Sequence, residues 1–127
     1  KIRVIAGMSN QGTAGVVKNN YVNPTYLDVT LPAGRSFEQT VNAADNTFLF
    51  VIDGELDIGE QGTSLGRRTL GILGAGDNVK ASTTSGARFL LVSALPLNEP
   101  VARGGPFVMN KKEEIMQAFD DYKHNRF

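Results

Sequence analysis

The sequence predicts an all-β fold, an antiparallel β-barrel of short strands with one C-terminal α-helix. Two observations predict it. From Lys1 to about Val108 the apolar residues mostly alternate with polar ones, the spacing of a strand with one buried face. Beyond Asn110 the spacing changes, and Ile115, Met116, Phe119 and Tyr122 fall on one face of a helix expected at about residues 111–124. Several short strands separated by turns at short intervals make a sandwich or a barrel.

The elements follow in order. Residues 1–7 already alternate as a strand. Tyr26 to Leu31 alternates cleanly, with Leu27, Val29 and Leu31 on one face, and Pro32-Ala33-Gly34 then turns the chain. In the next strand Phe37 and Val41 point one way, Glu38 and Thr40 the other. Phe48-Leu49-Phe50-Val51-Ile52 is a continuous apolar run, as in a strand buried on both faces. Asp53-Gly54 stands between that run and the alternating Glu55-Leu56-Asp57-Ile58, and such a pair is expected to form a type I′ hairpin turn. Thr69 to Leu73, Val79 to Ser82 and Ala87 to Ala94 are further strand patterns, the last the longest, with a turn at Gly74-Ala75-Gly76-Asp77-Asn78. Gly104-Gly105-Pro106 reads as a tight turn and Phe107-Val108-Met109 as a short apolar strand. Asn110, with Glu113 three residues on, reads as a capping box in which Asn replaces Ser or Thr. The helical stripe needs an apolar bed, either this barrel or a neighbour.

Composition narrows the classes. A chain of 127 residues is one domain by default and can bury a core without covalent staples. Its 13 basic and 13 acidic residues cancel, so nothing electrostatic favours direct contact with nucleic acid or an anionic membrane. Arg67-Arg68, the densest basic spot in the strand region, reads as two solvated loop residues. With no cysteine, disulfides, thiolate metal sites and cysteine nucleophiles are excluded. The same absence fits a reducing compartment, so a cytoplasmic location is expected, or a nuclear one in a eukaryote. No stretch has the length and apolarity of a membrane-spanning helix. Position 1 is Lys within a strand pattern, so the chain is expected to be part of a longer protein.

Asn46 to Ile58 has the shape of the first cupin motif, and Gly71 to Val79, with its Gly-Ala-Gly-Asp turn, the shape of the second. Ala87 to Pro100, then Gly104 to Asn110, then Glu113-Glu114-Ile115-Met116-Gln117-Ala118-Phe119 with the closing Asp121-Tyr122, resemble the C-terminal cupin of the pirin family. The resemblance runs from about Val4 to Phe127. It implies a cupin-type antiparallel barrel (a double-stranded β-helix, or jelly roll), and a single domain over residues 1–127 that is one half of a two-cupin protein. In that family the iron site, three histidines and a glutamate, lies in the N-terminal barrel. Bacterial members are linked to oxidation of flavonols such as quercetin, the quercetin 2,3-dioxygenase activity, and eukaryotic members to regulation of transcription.

Mapped residue by residue, the cupin metal pattern finds no ligands here. Aligned on Gly54, its glutamate falls at Thr47 and its two histidines near Thr40 and Asn42, or Val41 and Ala43; aligned on Gly76, the third histidine falls at Val79. None of these is His, Asp or Glu, and Asp45, the nearest acid, has no histidine partner. The one histidine, His124, reads as a solvated residue near the helix C-terminus. Asp53, Glu55 and Asp57 share a face if the hairpin forms and would offer oxygen ligands to calcium, but a solvated outer face is the favoured reading. The glycine-rich Gly71 to Gly76 leads into a strand and lacks the Lys-Ser/Thr of a phosphate cradle.

No catalytic, cofactor-binding or metal residue is therefore expected in this chain, and iron is expected only in the N-terminal cupin of the parent. The first functional reading is a metal-free half that supports that barrel. The alternatives are a regulatory protein-binding module of the transcription-cofactor type, or a cupin that binds a small ligand without metal. The expected partner is the N-terminal cupin domain, met through a candidate interface of Phe107, Met109, Ile115, Met116, Phe119 and Tyr122.

Overall fold

The computed structural model describes residues 1–19 and 21–126. They form two compact units, Lys1–Pro96 and the residues from Leu97 onward.

The first unit is built from two antiparallel sheets. One contains β1 (Ile2–Ala6), β2 (Thr25–Leu31), β4 (Asn46–Gly54), β7 (Leu70–Ile72) and β9 (Ala87–Ala94), in the order β1-β2-β9-β4-β7. The other contains β3 (Arg35–Thr40), β5 (Leu56–Ile58), β6 (Thr63–Leu65) and β8 (Asn78–Thr83), in the order β3-β8-β5-β6. The chain passes repeatedly from one sheet to the other, as in a jelly roll.

Period-two patterning decides which side chains face inward. Leu27, Val29 and Leu31 of β2 enter the core, as do Leu49 and Val51 of β4 and Phe89 and Leu91 of β9. From the opposite sheet come Phe37, Leu56, Val79 and Ala81. Phe37 and Phe89 meet edge to face, ring centroids 5.3 Å apart. Each fully buried large apolar side chain here contributes about 1.5–3 kcal/mol relative to exposure. The outward residues Phe48, Phe50 and Ile52 of β4 are half-buried, so the continuous apolar run is burial on one face and partial cover on the other.

Asp53-Gly54 is not a hairpin turn. β4 pairs with β7 and β9, whereas β5 pairs with β6 and β8. The pair lies at a corner where the chain leaves one sheet for the other, after a register shift between Val51 and Asp53. Gly54 has φ +79°, which is why glycine stands there, but its positive φ serves the corner rather than a two-residue loop. Thr83 locks the corner: its hydroxyl donates to the Glu55 carbonyl (2.7 Å) and accepts from the Gly86 N–H (3.0 Å).

In the second unit, β10 (Ala102–Gly104) and β11 (Phe107–Met109) form a hairpin, and α1 (Lys112–Lys123) packs on it. The turn at Gly104-Gly105-Pro106 and the strand after it match the expectation, while β10 carries no apolar pattern. The helix begins one residue later than the capping-box reading. Its N-cap is Lys111, whose amine has no lone pair to offer, so the cap comes from Glu114. The Glu114 carboxylate accepts from the N–H groups of Lys111 (2.8 Å) and Asn110 (3.1 Å). Asn110 instead donates its side-chain amide to Glu99 and to the Pro100 carbonyl. No helix among the described residues is long and apolar enough to cross a membrane.

Candidate functional site: a barrel cavity at the motif positions

Strands β3, β4 and β8 bring the expected motif positions together. Val41 and Val79 are buried, Thr47 is buried beside them, and all three line one cavity of ≈ 210 Å³. Of the two alignments near the end of β3, the structure selects Val41: Thr40 points to solvent, and Asn42 and Ala43 are exposed. Leu73, Ile58 and the Gly74-Ala75-Gly76 turn complete the wall, with Asn78 and Lys80 at its edge. Larger depressions of ≈ 330 and ≈ 370 Å³ lie elsewhere on the first unit, neither lined by Thr47 or Val79.

A hydrogen-bond chain stands behind the cavity. The Ser93 hydroxyl donates to the Asp45 carboxylate (3.0 Å), and the Thr47 and Ser93 oxygens are 2.9 Å apart. A hydroxyl has one proton and a carboxylate only accepts, so Ser93 spends its proton on Asp45 and Thr47 must donate to Ser93. Ser93 is fully buried opposite Thr47, where β9 pairs with β4. The sequence reading named Thr47 and Asp45 but missed Ser93. Its signal was legible: Phe89, Leu91 and Ser93 share the inward face of β9, and a hydroxyl on an apolar face needs a partner. Gln39 was missed for the same reason. It lies on the Phe37 face, accepts from the Asn10 N–H (3.1 Å) and donates to the Met8 and Thr40 carbonyls.

The other candidates disperse. Asp53 pairs with Arg67 (3.3 Å), Glu55 accepts from the Ser64 hydroxyl (2.7 Å), and Asp57 lies on the second sheet. Because the corner separates them, the shared face expected of a hairpin does not form. No cluster of three or more His, Cys, Asp or Glu occurs among the described residues. His124 is the C-cap residue of α1, with its Nδ1 2.8 Å from the Asp120 carbonyl.

In the second unit, Ala102, Gly104, Phe107 and Met109 share the half-buried hairpin face. Ile115 is buried against Gly104, and Phe119 meets Phe107 edge to face at 5.2 Å. Tyr122 reaches the same ring at 6.3 Å. Met116, at the edge of the stripe, is 72% exposed.

The sequence pattern of the pirin C-terminal cupin domain matches residues 26–127. The chain belongs to the pirin family. It is 39% identical over 126 residues to a pirin-like protein of Caulobacter vibrioides, a match covering 99% of this chain and 45% of that one. It is 35% identical over 103 residues to the pirin of Homo sapiens, covering 78% of this chain and 36% of that one. Among solved structures, quercetin 2,3-dioxygenase from Acinetobacter baumannii superposes with a TM-score of 0.90 at 30% identity, covering 99% of this chain and 43% of that chain. The chain thus spans less than half the length of these pirin relatives. The cupin-type barrel is also shared with the cupin domain of a transcriptional regulator from Enterobacter cloacae (TM-score 0.58, 15% identity), a likeness of fold alone.

Proposed function

We propose that this chain is the metal-free C-terminal cupin half of a pirin-type protein, supporting an N-terminal cupin that carries iron. The observation that carries the reading is the cavity whose walls at the motif positions are Val41, Thr47 and Val79. A catalytic metal needs about three imidazole, carboxylate or thiolate ligands around an open position. The side-chain donors lining this cavity are a hydroxyl, an amide and an ammonium, from Thr47, Asn78 and Lys80. That set does not fit a transition metal.

The parent's activity, by similarity to relatives such as the Acinetobacter quercetin 2,3-dioxygenase, is oxidation of a flavonol-type substrate in the other barrel. The proposed partner is that N-terminal cupin, approached by Met116, Phe119 and Tyr122 with the half-buried Phe107 and Met109 beside them; Ile115, expected in the same surface, is instead buried against Gly104 of its own hairpin. The exposure of Met116 and the 39% exposure of Phe119 support that surface. A chain with no cysteine fits a cytoplasmic setting.

Elemental analysis of the chain purified from iron-supplemented cells tests the reading. Iron far below one atom per chain is expected. Roughly one tightly held iron per chain would overturn it, since a buried site of this kind retains its metal.

A further inference from the structure

We propose that the cavity beside Thr47 binds a small neutral molecule with an apolar body and one hydrogen-bond donor, an alcohol or an amide. The inference rests on the metal-free reading above and names what takes the place of a metal.

The hydrogen-bond chain sets the polarity of the site. Thr47 gives its proton to Ser93, and Ser93 gives its own to Asp45. The Thr47 oxygen keeps acceptor capacity inside the barrel and has no proton left to offer. A ligand group that donates completes the chain, and one that only accepts meets lone pairs. The other polar side chains at the cavity, both on exposed residues, have partners away from it, though neither spends all its donors there. Asn78 donates its amide to Glu38 (2.6 Å), and Lys80 faces Glu60 (3.7 Å). Val41, Ile58, Leu73 and Val79 give apolar walls, the backbone at Gly59 and Gly74-Ala75-Gly76 completes the lining, and the Lys80 ammonium at the edge is its charged group. Size sets the class. An enclosed apolar cavity of roughly 150 Å³ holds one benzene, so the ≈ 210 Å³ here, open to solvent on the side of Gly74-Ala75-Gly76, Asn78 and Lys80, has room for a six-membered ring with a substituent. A buried donor–acceptor pair separates matched from mismatched ligands of one shape, because the mismatched group is desolvated without a partner.

Cyclohexanol and cyclohexanone have nearly one shape and differ in that donor. Each is titrated into the full chain, carbon-13 labelled in its methyl groups, while the signals of Val41, Leu73 and Val79 are followed. Saturable shifts are expected with cyclohexanol, and binding of cyclohexanone at least about fivefold weaker. In Thr47→Val, which keeps the side chain's shape and leaves Ser93 bonded to Asp45, the alcohol should bind as weakly as the ketone. The amide spectrum of the variant reports whether the barrel persists, and the alcohol–ketone contrast in the parent chain needs no variant. Absent saturable shifts, equal affinities for the two molecules, or undiminished alcohol binding in a folded Thr47→Val each overturn the proposal. Metal content measured on the same sample separates the two readings. Iron in the chain sinks the metal-free assignment, whereas failure to bind in an iron-free chain sinks only the ligand.

Discussion

A methyl group on Gly54 would run into the Gly86 carbonyl oxygen, and the backbone there holds φ +79°. Both faults have the same origin, the corner at which β4 crosses to β5. Gly59 has a similar φ, +72°, with open space where a side chain would go. Gly59→Ala is expected to cost about 1 kcal/mol, the backbone effect alone, and Gly54→Ala at least about 2 kcal/mol, because the steric clash adds to it. Urea midpoints of the two variants check the contrast, and equal losses would show that the corner relaxes. Asp28 makes a different residue-scale point. Arg88 grips its carboxylate with two hydrogen bonds, 3.0 and 2.8 Å. That hydrogen bonding, helped by the charges of Arg88, Arg3 and Lys1 and opposed by desolvation, holds the Asp28 carboxyl below its ordinary value. A carboxylate lowered by folding stabilises the fold above its unfolded-state value and loses that contribution as pH falls through the folded one. Asp28→Asn should therefore lower the urea midpoint at neutral pH. The gap should narrow below about pH 4, the unfolded range of an Asp, and close once the carboxyl is protonated in both states. A gap that stays constant down to acid pH would show that the pairing with Arg88 is not its source.

At the scale of the element, α1 depends on one carboxylate and one ring. Glu114 satisfies two N–H groups that the helix start would leave open, so Glu114→Ala should cost about 0.3–1.5 kcal/mol. Phe119 packs on Phe107 yet stays partly exposed, so its truncation to Ala should cost less than the 3–5 kcal/mol typical of a buried Phe, about 1–2 kcal/mol. Amide hydrogen exchange across residues 112–123 checks both, with protection falling in each variant. The elements also show which signals a sequence carries. Leu27-Val29-Leu31 and Phe89-Leu91 are legible because alternation on a half-buried sheet is a local property. Asp53-Gly54 misleads because a positive φ is demanded equally by a hairpin turn and by a sheet-crossing corner. Only strand pairing tells them apart, and pairing is nonlocal. β10 (Ala102-Arg103-Gly104) was invisible because its inward residues are small, making room for Ile115 and Phe119 rather than filling space. The cap lies one residue later than the sequence suggests because Glu114, next to Glu113, reaches back to the Lys111 N–H even though Lys111 has no side-chain acceptor to complete a box. Of the cavity, the residues at the motif positions were legible. The hydrogen-bond chain was not, since it joins Asp45 to Ser93 across two strands.

The whole barrel depends on contacts between its two sheets. Phe89 of β9 and Phe37 of β3 are the one aromatic pair described in the first unit, and Phe89 is fully buried. The same core cluster draws Val79 and Ala81 from the second sheet and Leu49, Val51 and Leu91 from the first, so neither sheet keeps an apolar face of its own to fold around. Thr47 and Val79 face the cavity from opposite sheets, so the geometry of the site is a property of how the sheets meet. Phe89→Ala is accordingly expected to cost about 3–5 kcal/mol, the range for truncating a buried Phe. Because the two rings touch, Phe37→Ala and the double variant should show a coupling of about 0.5–1.5 kcal/mol rather than simple addition. Urea unfolding followed by circular dichroism should remain one transition at a lower midpoint, since losing this contact weakens both sheets together. The methyl signals of Val41 and Val79 should shift in Phe89→Ala although neither residue is altered. Separate transitions for the two sheets, or additive losses without coupling, would mean that the sheets are held together elsewhere and that the cavity does not depend on the Phe37–Phe89 contact.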